Sequence, residues 1–558
     1  MKFIAEKALY FLTMCLVISG AVEAKKTKRK IHWEDQIVPN AYVVSNTKPS
    51  GSGSLQRAIE KARINSDIPT KISFNIPPSD PGYNPETGTY VIELEKTLRI
   101  SSNTLIDGYT QKGSSANTQI LEYPNDAVLT IEIQPKTLTT EDFNPPFGDT
   151  IVFTEKSSNS RLKGVIVHGS PYIVPATEKK GAFYPAAIRI LGNEHVIEGC
   201  FVGVDSTGER SDSTITAIVV EGNNNVIGDE KLSFTQRLPQ PAKRMIIGGL
   251  GATLGNEYIP AVLFTGKGNK IANGQLGIRK SGTSGLDHIA ETGLLAAINT
   301  SQRCSNSTES DLTIDTFAAA GSQHKLFNLM NFNTIQVRNV SAGTTLDRTA
   351  GLGGGIGLSA ENSFTSIPDQ TENNEPRGIL TITDSIFSGL VTGIQLGNKQ
   401  EGLLSGPHLQ AVTVQNSYIG TNGLGTAAIP NTYGATSQGV STLTVTGNSI
   451  SGNIIVGWQH ETSVSGSENI PLFSSNRIGI ATPPSMHSLP NGRGISILGN
   501  GQVTLQNNDI ENDDRGVIST KNAQMIMKEN AIKQSTKTNT PNKGLQWAKK
   551  IIQYLKRG

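Results

Sequence analysis

The octapeptide LTVTGNSI, Leu443 to Ile450, decides the fold. Leu443 and Val445 alternate with threonines, a Gly-Asn turn follows, and Ile450 closes the phrase. Alternation with a period of two belongs to a half-buried strand rather than to a helix. The same phrase returns as LTITDSIF at Asp384, VTVQNSYI at Asn416, PLFSSNRI at Asn476, VTLQNNDI at Asn508 and MIMKENAI at Asn530. Counted through Asn448, the intervals are 32, 32, 28, 32 and 22 residues. Self-similarity at that period marks a solenoid, and the local alternation makes its repeats strands. Stacked coils pair each strand in parallel with its equivalents above and below, and Val445, Val503 and Ile526 are expected in the lumen. The turn asparagines read as structural, because Asn tolerates left-handed backbone and bonds to its own neighbours. Their alternative is a polar ligand-binding ladder.

Composition agrees with an all-β chain rich in turns: 58 glycines and 6% aromatics in 558 residues, with 36% hydrophobic and 17% charged. A net charge of +2 leaves no broad basic field for nucleic acid. Cys15 lies in the apolar leader. Cys200 and Cys304 are 104 residues apart, about four coils, or roughly 19 Å along the stack. A disulfide needs Cα atoms within about 7 Å, so both read as free and buried.

Residues 1–24 have the layout of a secretory signal: Lys2 and Lys7, the apolar run ALYFLTMCLVISG, and Val22-Glu23-Ala24 as a cleavage site. Export to the medium or cell envelope is expected. The basic run KKTKRK within the leader 25–40 supports the rival, an uncleaved membrane anchor. Residues 41–66 form the N-terminal cap, where Ser54 begins a helix with Leu55, Ala58, Ile59 and Ala62 on one face. Coils fill 67–535, with loop insertions near 287–308 and 341–375. The first has helical character; the second contains GLGGGIG from Gly351, which lacks the Lys-Ser or Lys-Thr of a phosphate cradle and reads as a flexible loop. The tail 536–558 ends in KGLQWAKKIIQYLKRG, an amphipathic helix with Leu545, Ile551, Ile552 and Leu555 on one face. It reads as a cap on the last coil, with contact to a membrane surface as the alternative.

SGSGSLQRAIEKA, ISFNIP at Ile72, LIDGYTQKGSSANT at Leu105, GVIVHGS at Gly164 and AIRILGNEHVIEGCFVGVDSTGE at Ala187 together resemble a large group of bacterial right-handed parallel β-helix proteins of the pectate-lyase-like superfamily. Those proteins carry a GSLRQAI-like cap helix and an IDGYTQPG-like turn before their coils. The resemblance spans Ala41 to Ile532 and implies the fold. It places Cys200 where the group most often has Asn. The superfamily spans lyases, hydrolases, epimerases and adhesins, so the resemblance leaves function open.

Chemistry is present only in pieces. Asp513, Asp514 and Arg515 lie together in IENDDRG, as polygalacturonase-like hydrolases carry adjacent aspartates. The accompanying Gly-His-Gly and Arg-Ile-Lys are missing, and Ile278-Arg279-Lys280 is a scrambled echo of the latter. The bland reading of the trio is a solvated turn. His460-Glu461 beside Trp458 suggests a sugar-stacking acid–base cluster, against the plainer reading of a surface histidine. His168 ends the strand of GVIVHG. The expected function is non-catalytic binding of a polysaccharide or cell-surface glycan, in the manner of an adhesin. The alternative is a polysaccharide lyase or glycoside hydrolase on an acidic polysaccharide, using Asp513, Asp514, Arg515 and His460. No cofactor is expected, and calcium enters only if the chain is a lyase.

Overall fold

The computed structural model describes residues 38–136, 148–170, 185–212, 214–233, 238–250, 252–254, 257–286, 295–298, 311–362, 378–397, 409–462, 469–512, 516–520 and 523–534. The chain winds as a right-handed parallel β-helix. A typical coil contributes a strand, a two-residue bend and a short second strand to a first sheet, then a strand to a second sheet. Among the described residues the first sheet has 27 strands and the second 13. Pairing is parallel throughout the stack, as between Leu409–Gln415 and Val440–Thr446. Two local hairpins are antiparallel, Tyr83–Asn84 with Thr89–Leu94 and Ala252–Leu254 with Glu257–Ile259.

The bend resolves the repeated phrase into two adjacent positions with different duties. The first is left-handed: Asp384, Asn416, Ser475, Asn507 and Glu529 have φ between 50° and 55°, and Gly447 has φ 68°. The second points inward and forms a ladder. Ser417 N–H donates to Asn448 Oδ1 at 2.8 Å, Asn448 N–H to Asn476, Asn476 N–H to Asn508 and Asn508 N–H to Asn530, each at 3.0 Å. Each side-chain amide also reaches back to a carbonyl, as Asn476 Nδ2 does to Val445 O at 2.9 Å. Asp384 and Asn416 therefore sit one position before the ladder, whose members in their coils are Ser385 and Ser417. A second ladder of Asn431, Asn453 and Asn491 runs up another corner. Cys200 follows the left-handed Gly199 (φ 60°), is buried, and takes the ladder position without an amide.

The lumen is aliphatic, with Leu443, Val445, Val503 and Leu505 at 0–1% exposure. Ile526 does not join them. It pairs with Thr504 on the outward register, while Met525 and Met527 pair with Val503 and Leu505. Three consecutive apolar residues carry no parity of their own, but counting back from Asn530 assigns it.

Helix Leu55–Ile64 buries Leu55, Ala58, Ile59 and Ala62 in the main core, and Ser54 Oγ accepts from Arg57 N–H at its start. Within the first expected insertion, Leu295–Ile298 is a strand of the second sheet rather than helical loop. In the second, Ser341 and Ala342 finish a strand and Ile356–Glu361 pairs in the second sheet, so the described part, through Asn362, belongs to the coil. Between them lies one of a series of small hairpins closed at Val204–Ser211, Ile278–Gly285, Thr344–Gly351, Thr421–Ala428 and Ile480–Ser488. They stack along one flank through Lys280 N to Gly208 O at 2.8 Å, Leu346 N to Gly282 O at 3.0 Å, Gly423 N to Arg348 O at 3.1 Å and Thr482 N to Gly425 O at 2.9 Å. GLGGGIG closes the third hairpin and enters a strand. Ile278-Arg279-Lys280 is an arm of the second, where Lys280 Nζ donates to Ala127 O.

The ladder is testable. Asn476→Ala strands the N–H of Asn448 and the carbonyl of Val445 in a dry lumen, and leaving one such group unsatisfied costs about 1–3 kcal/mol. Chemical denaturation is expected to show a loss of about 2–6 kcal/mol, whereas Asn416→Gly, at the left-handed position, is expected to lose less than about 1 kcal/mol.

Candidate functional site

Outward positions on the second sheet line up in columns because successive strands are in register. Asn328 pairs with Ser359, Ser359 with Gln395, Gln395 with Thr436, Thr436 with Gln459 and Gln459 with Ser496. All six are uncharged hydrogen-bonding residues. Five steps at strand spacing make a row of about 24 Å. Asn328, Gln395, Thr436 and Gln459 are half-buried, and the small Ser359 and Ser496 lie at the floor. The next outward column carries Glu361, Gln438 and Glu461, and Lys325 Nζ stands 4.0 Å from Glu361. Gln395, Gly397, Thr436, Gln438, Gln459 and Glu461 line a shallow pocket of about 90 Å³.

A glycine stands at the start of the last five of these six strands: Gly357, Gly393, Gly434, Gly457 and Gly494. A Cβ on Gly434 would stand 2.2 Å from Gly457 O, and one on Gly393 2.5 Å from Gly434 O. The close approach holds the strand starts together and keeps the polar row straight. The sequence signal for the site is thus a second repeated phrase, Gly, apolar, polar, inward residue, seen in GLSA, GIQL, GATS, GWQH and GISI.

Trp458 and His460 belong to the inner surface beneath this row. Trp458 is 0% exposed and His460 2%, so the indole presents no face to a sugar. Trp458 Nε1 donates to Ser437 Oγ at 2.9 Å, and the same hydroxyl is 2.9 Å from His460 Nδ1. Burial pushes the His460 imidazole down to about 4, against the opposing bond from Ser437. His460 is therefore a neutral lumen residue and neither a surface histidine nor an acid–base group reachable from outside. The alternation Trp458, Gln459, His460 turns the expected pair inward and presents Gln459. Asp513, Asp514 and Arg515 lie outside the described residues, as do Cys15, Cys304, the leader up to residue 37 and the expected tail helix. Among the described residues no group of three or more His, Cys, Asp or Glu is placed to hold a metal ion.

A different ionisable cluster forms where the short second strand meets the first hairpin. His168 lies between Glu132, at 2.8 Å from Nε2, and Asp212, in short contact with Nδ1. Burial alone would lower its pKa, but the bonds and charges of Asp212 and Glu132 raise it to about 9. Glu132 is held below the usual carboxylate range, burial being outweighed by His168. With both ring nitrogens engaged by carboxylates, the imidazolium is a staple and not a free base. Sequence separations of 36 and 44 residues hid it, because unequal coil lengths set which residues meet.

No protein-family model and no curated protein sequence matches the chain. Among solved structures, the chain is similar to the A-module of the Azotobacter vinelandii mannuronan C-5 epimerase AlgE6, at 11% identity over 89% of this chain and 100% of that one, with a TM-score of 0.40. It is similar to the Streptococcus pneumoniae surface protein and adhesin PfbA at 11% identity, 88% and 100% coverage, and a TM-score of 0.35. A rhamnogalacturonan lyase matches at 10% identity over 90% of each chain, with a TM-score of 0.31. At these identities the likeness extends no further than the coil architecture.

The staple predicts pH dependence. A histidine whose pKa rises from 6.5 to about 9 on folding adds stability that is complete below the unfolded value and lost as pH passes the folded one, about 3 kcal/mol in all. Melting temperature is expected to fall between pH 7 and pH 10, and this fall is expected to shrink in His168→Gln. Trp458→Ala is expected to cost about 3–5 kcal/mol by denaturation as a core truncation.

Proposed function

We propose that the protein binds an extended neutral polysaccharide along the outer face of the second sheet, without cleaving it. The row from Asn328 to Ser496 carries this reading. It is a straight series of amides and hydroxyls on rigid strands, matched in form to a polymer whose own hydroxyls recur along its length. Glu361 and Glu461 border the row, and none of its six members is cationic, an arrangement that disfavours an acidic chain. His460, weighed for catalysis, and Trp458, weighed for sugar stacking, are buried in the lumen, which leaves the enzymatic alternative dependent on Asp513, Asp514 and Arg515. The presence of a signal-like leader agrees with a role outside the cell, on an envelope or host surface.

The test is a panel of soluble neutral and acidic polysaccharides presented to the full chain, with binding followed by affinity electrophoresis and chain cleavage by reducing ends and unsaturated products. Retardation by a neutral polymer without cleavage is expected, with at least a tenfold loss of affinity in the double variant Gln395→Ala, Gln459→Ala and an unchanged melting temperature. Cleavage that disappears in Asp513→Ala or Asp514→Ala would instead establish the enzymatic alternative.

A further inference from the structure

The outer face of the first sheet changes character between Arg338 and Thr381. Toward the N-terminus a group of its outward positions is charged, paired and buried. Arg161 bonds Glu198 at 3.1 Å and Glu230 at 2.5 Å, Lys243 lies 3.5 Å from Glu198, and Arg338 pairs with Asp315. Arg161, Glu198, Lys243, Asp315 and Arg338 are 2–7% exposed. From Ile379 to Gln506 the outward positions of the long strands carry no charge; Lys528 ends the run, and the short strands of the same sheet keep Arg477 and Asp509. Over the five strands that follow, the fifteen outward positions are Ile379, Thr381 and Thr383; Ala411, Thr413 and Gln415; Thr442, Thr444 and Thr446; Ile470, Leu472 and Ser474; and Gln502, Thr504 and Gln506. None is charged, whereas soluble surfaces ordinarily carry about 25–35% charged residues.

These positions form a flat two-dimensional lattice. Its rows are spaced by the strand separation, about 4.8 Å, and its columns by two residues along the strand, about 6.6 Å. Thr381, Thr413 and Thr444 form one row and Thr383, Gln415 and Thr446 the next. Threonine is stiff at χ1, so each presents a methyl and a hydroxyl in a fixed attitude. The side-chain hydroxyls of Thr381, Thr383, Thr413, Thr444 and Thr504 make no hydrogen bond among the described residues, and these side chains are half-buried rather than covered. Uncharged side chains repeating in two directions, with the hydroxyls of Thr381, Thr413, Thr444 and Thr504 along one row and Thr383, Gln415, Thr446, Ser474 and Gln506 along the next, are complementary to a partner that repeats in two directions and is itself uncharged. A single flexible chain satisfies only one row.

We infer that this face docks onto the ordered surface of an insoluble neutral polysaccharide. The site is separate from the row on the second sheet, and the inference does not rest on it. The lattice supplies donors and acceptors at fixed spacing to rows of sugar hydroxyls, while Ile379, Ile470 and Leu472 supply apolar contact to sugar ring faces.

The test uses the full chain mixed with microcrystalline β-1,4-glucan or chitin particles, with the protein left in solution measured after sedimentation. Depletion by at least one solid is expected, with at least a fivefold fall in bound fraction for the double variant Thr381→Lys, Thr444→Lys and a fall in the same direction for Thr504→Lys alone. Leu424→Lys, at an exposed hairpin tip on neither face, is expected to bind the solids as the parent does, which separates a charge on this face from a charge elsewhere on the chain. Failure of both solids to deplete the parent protein, or equal depletion of the folded lysine variants of the three threonines, would overturn the inference. Retention in growing ice without retention on either polysaccharide would also overturn it, by assigning the lattice to a different ordered solid.

Discussion

Parallel pairing of each coil with the next is the constraint on which everything else depends. Once Val414 pairs with Val445 and Thr413 with Thr444, a residue type that suits the lumen must suit it again one coil later, and an outward residue joins a column. The corner asparagines lock this arrangement, since each side chain satisfies the backbone N–H of the preceding coil and a carbonyl there as well. A slip of one residue would unseat the ladder and turn every aliphatic side chain to solvent. Columns of like residues on the outside are thus a product of the same register that builds the core.

Seen this way, the two outer faces are alternatives written on one scaffold. The first sheet closes over its charges near Arg161 and Glu198, then opens into a plain hydroxyl lattice. On the second sheet the outward column runs Arg99, Val152, Arg189, Val219 and Leu263, with Arg189 paired to Asp149 and Glu221, and the column is uncharged and polar from Asn328 to Ser496. Both transitions fall in the middle of the stack, so the C-terminal coils present uncharged polar rows on two sides, the one on the second sheet bordered by Glu361 and Glu461. The buried ion pairs of the N-terminal half have no exposed counterpart there and serve to fasten the loop carrying Glu230 and Lys243 to the sheet. The His168 staple fastens a hairpin in the same half.

The coil was legible in sequence because its signal is local: LTVTGNSI shows alternation, turn and closure within eight residues. The phrase did not show that the bend holds two positions, because Asp384 and Asn416 at the left-handed place resemble Asn448 and Asn476 on the ladder. MIMKENAI hid the parity of Ile526 behind two methionines. Trp458 and His460 attracted notice as chemically distinctive residues, yet parity relative to Gln459 sends them inward. The polar row was present as a repeated glycine phrase but carried no residue that advertises chemistry. The His168 staple could not be found by spacing, since hairpins of unequal length separate its members.

Carbodiimide footprinting read by mass spectrometry, with and without a bound neutral polysaccharide, addresses the central claim most directly. Occupation of the second sheet is expected to protect Glu361 and Glu461 while leaving the labelling of Asp80 and Asp126 unchanged. Unaltered labelling of Glu361 and Glu461 under saturating polysaccharide, with protection elsewhere, would contradict it.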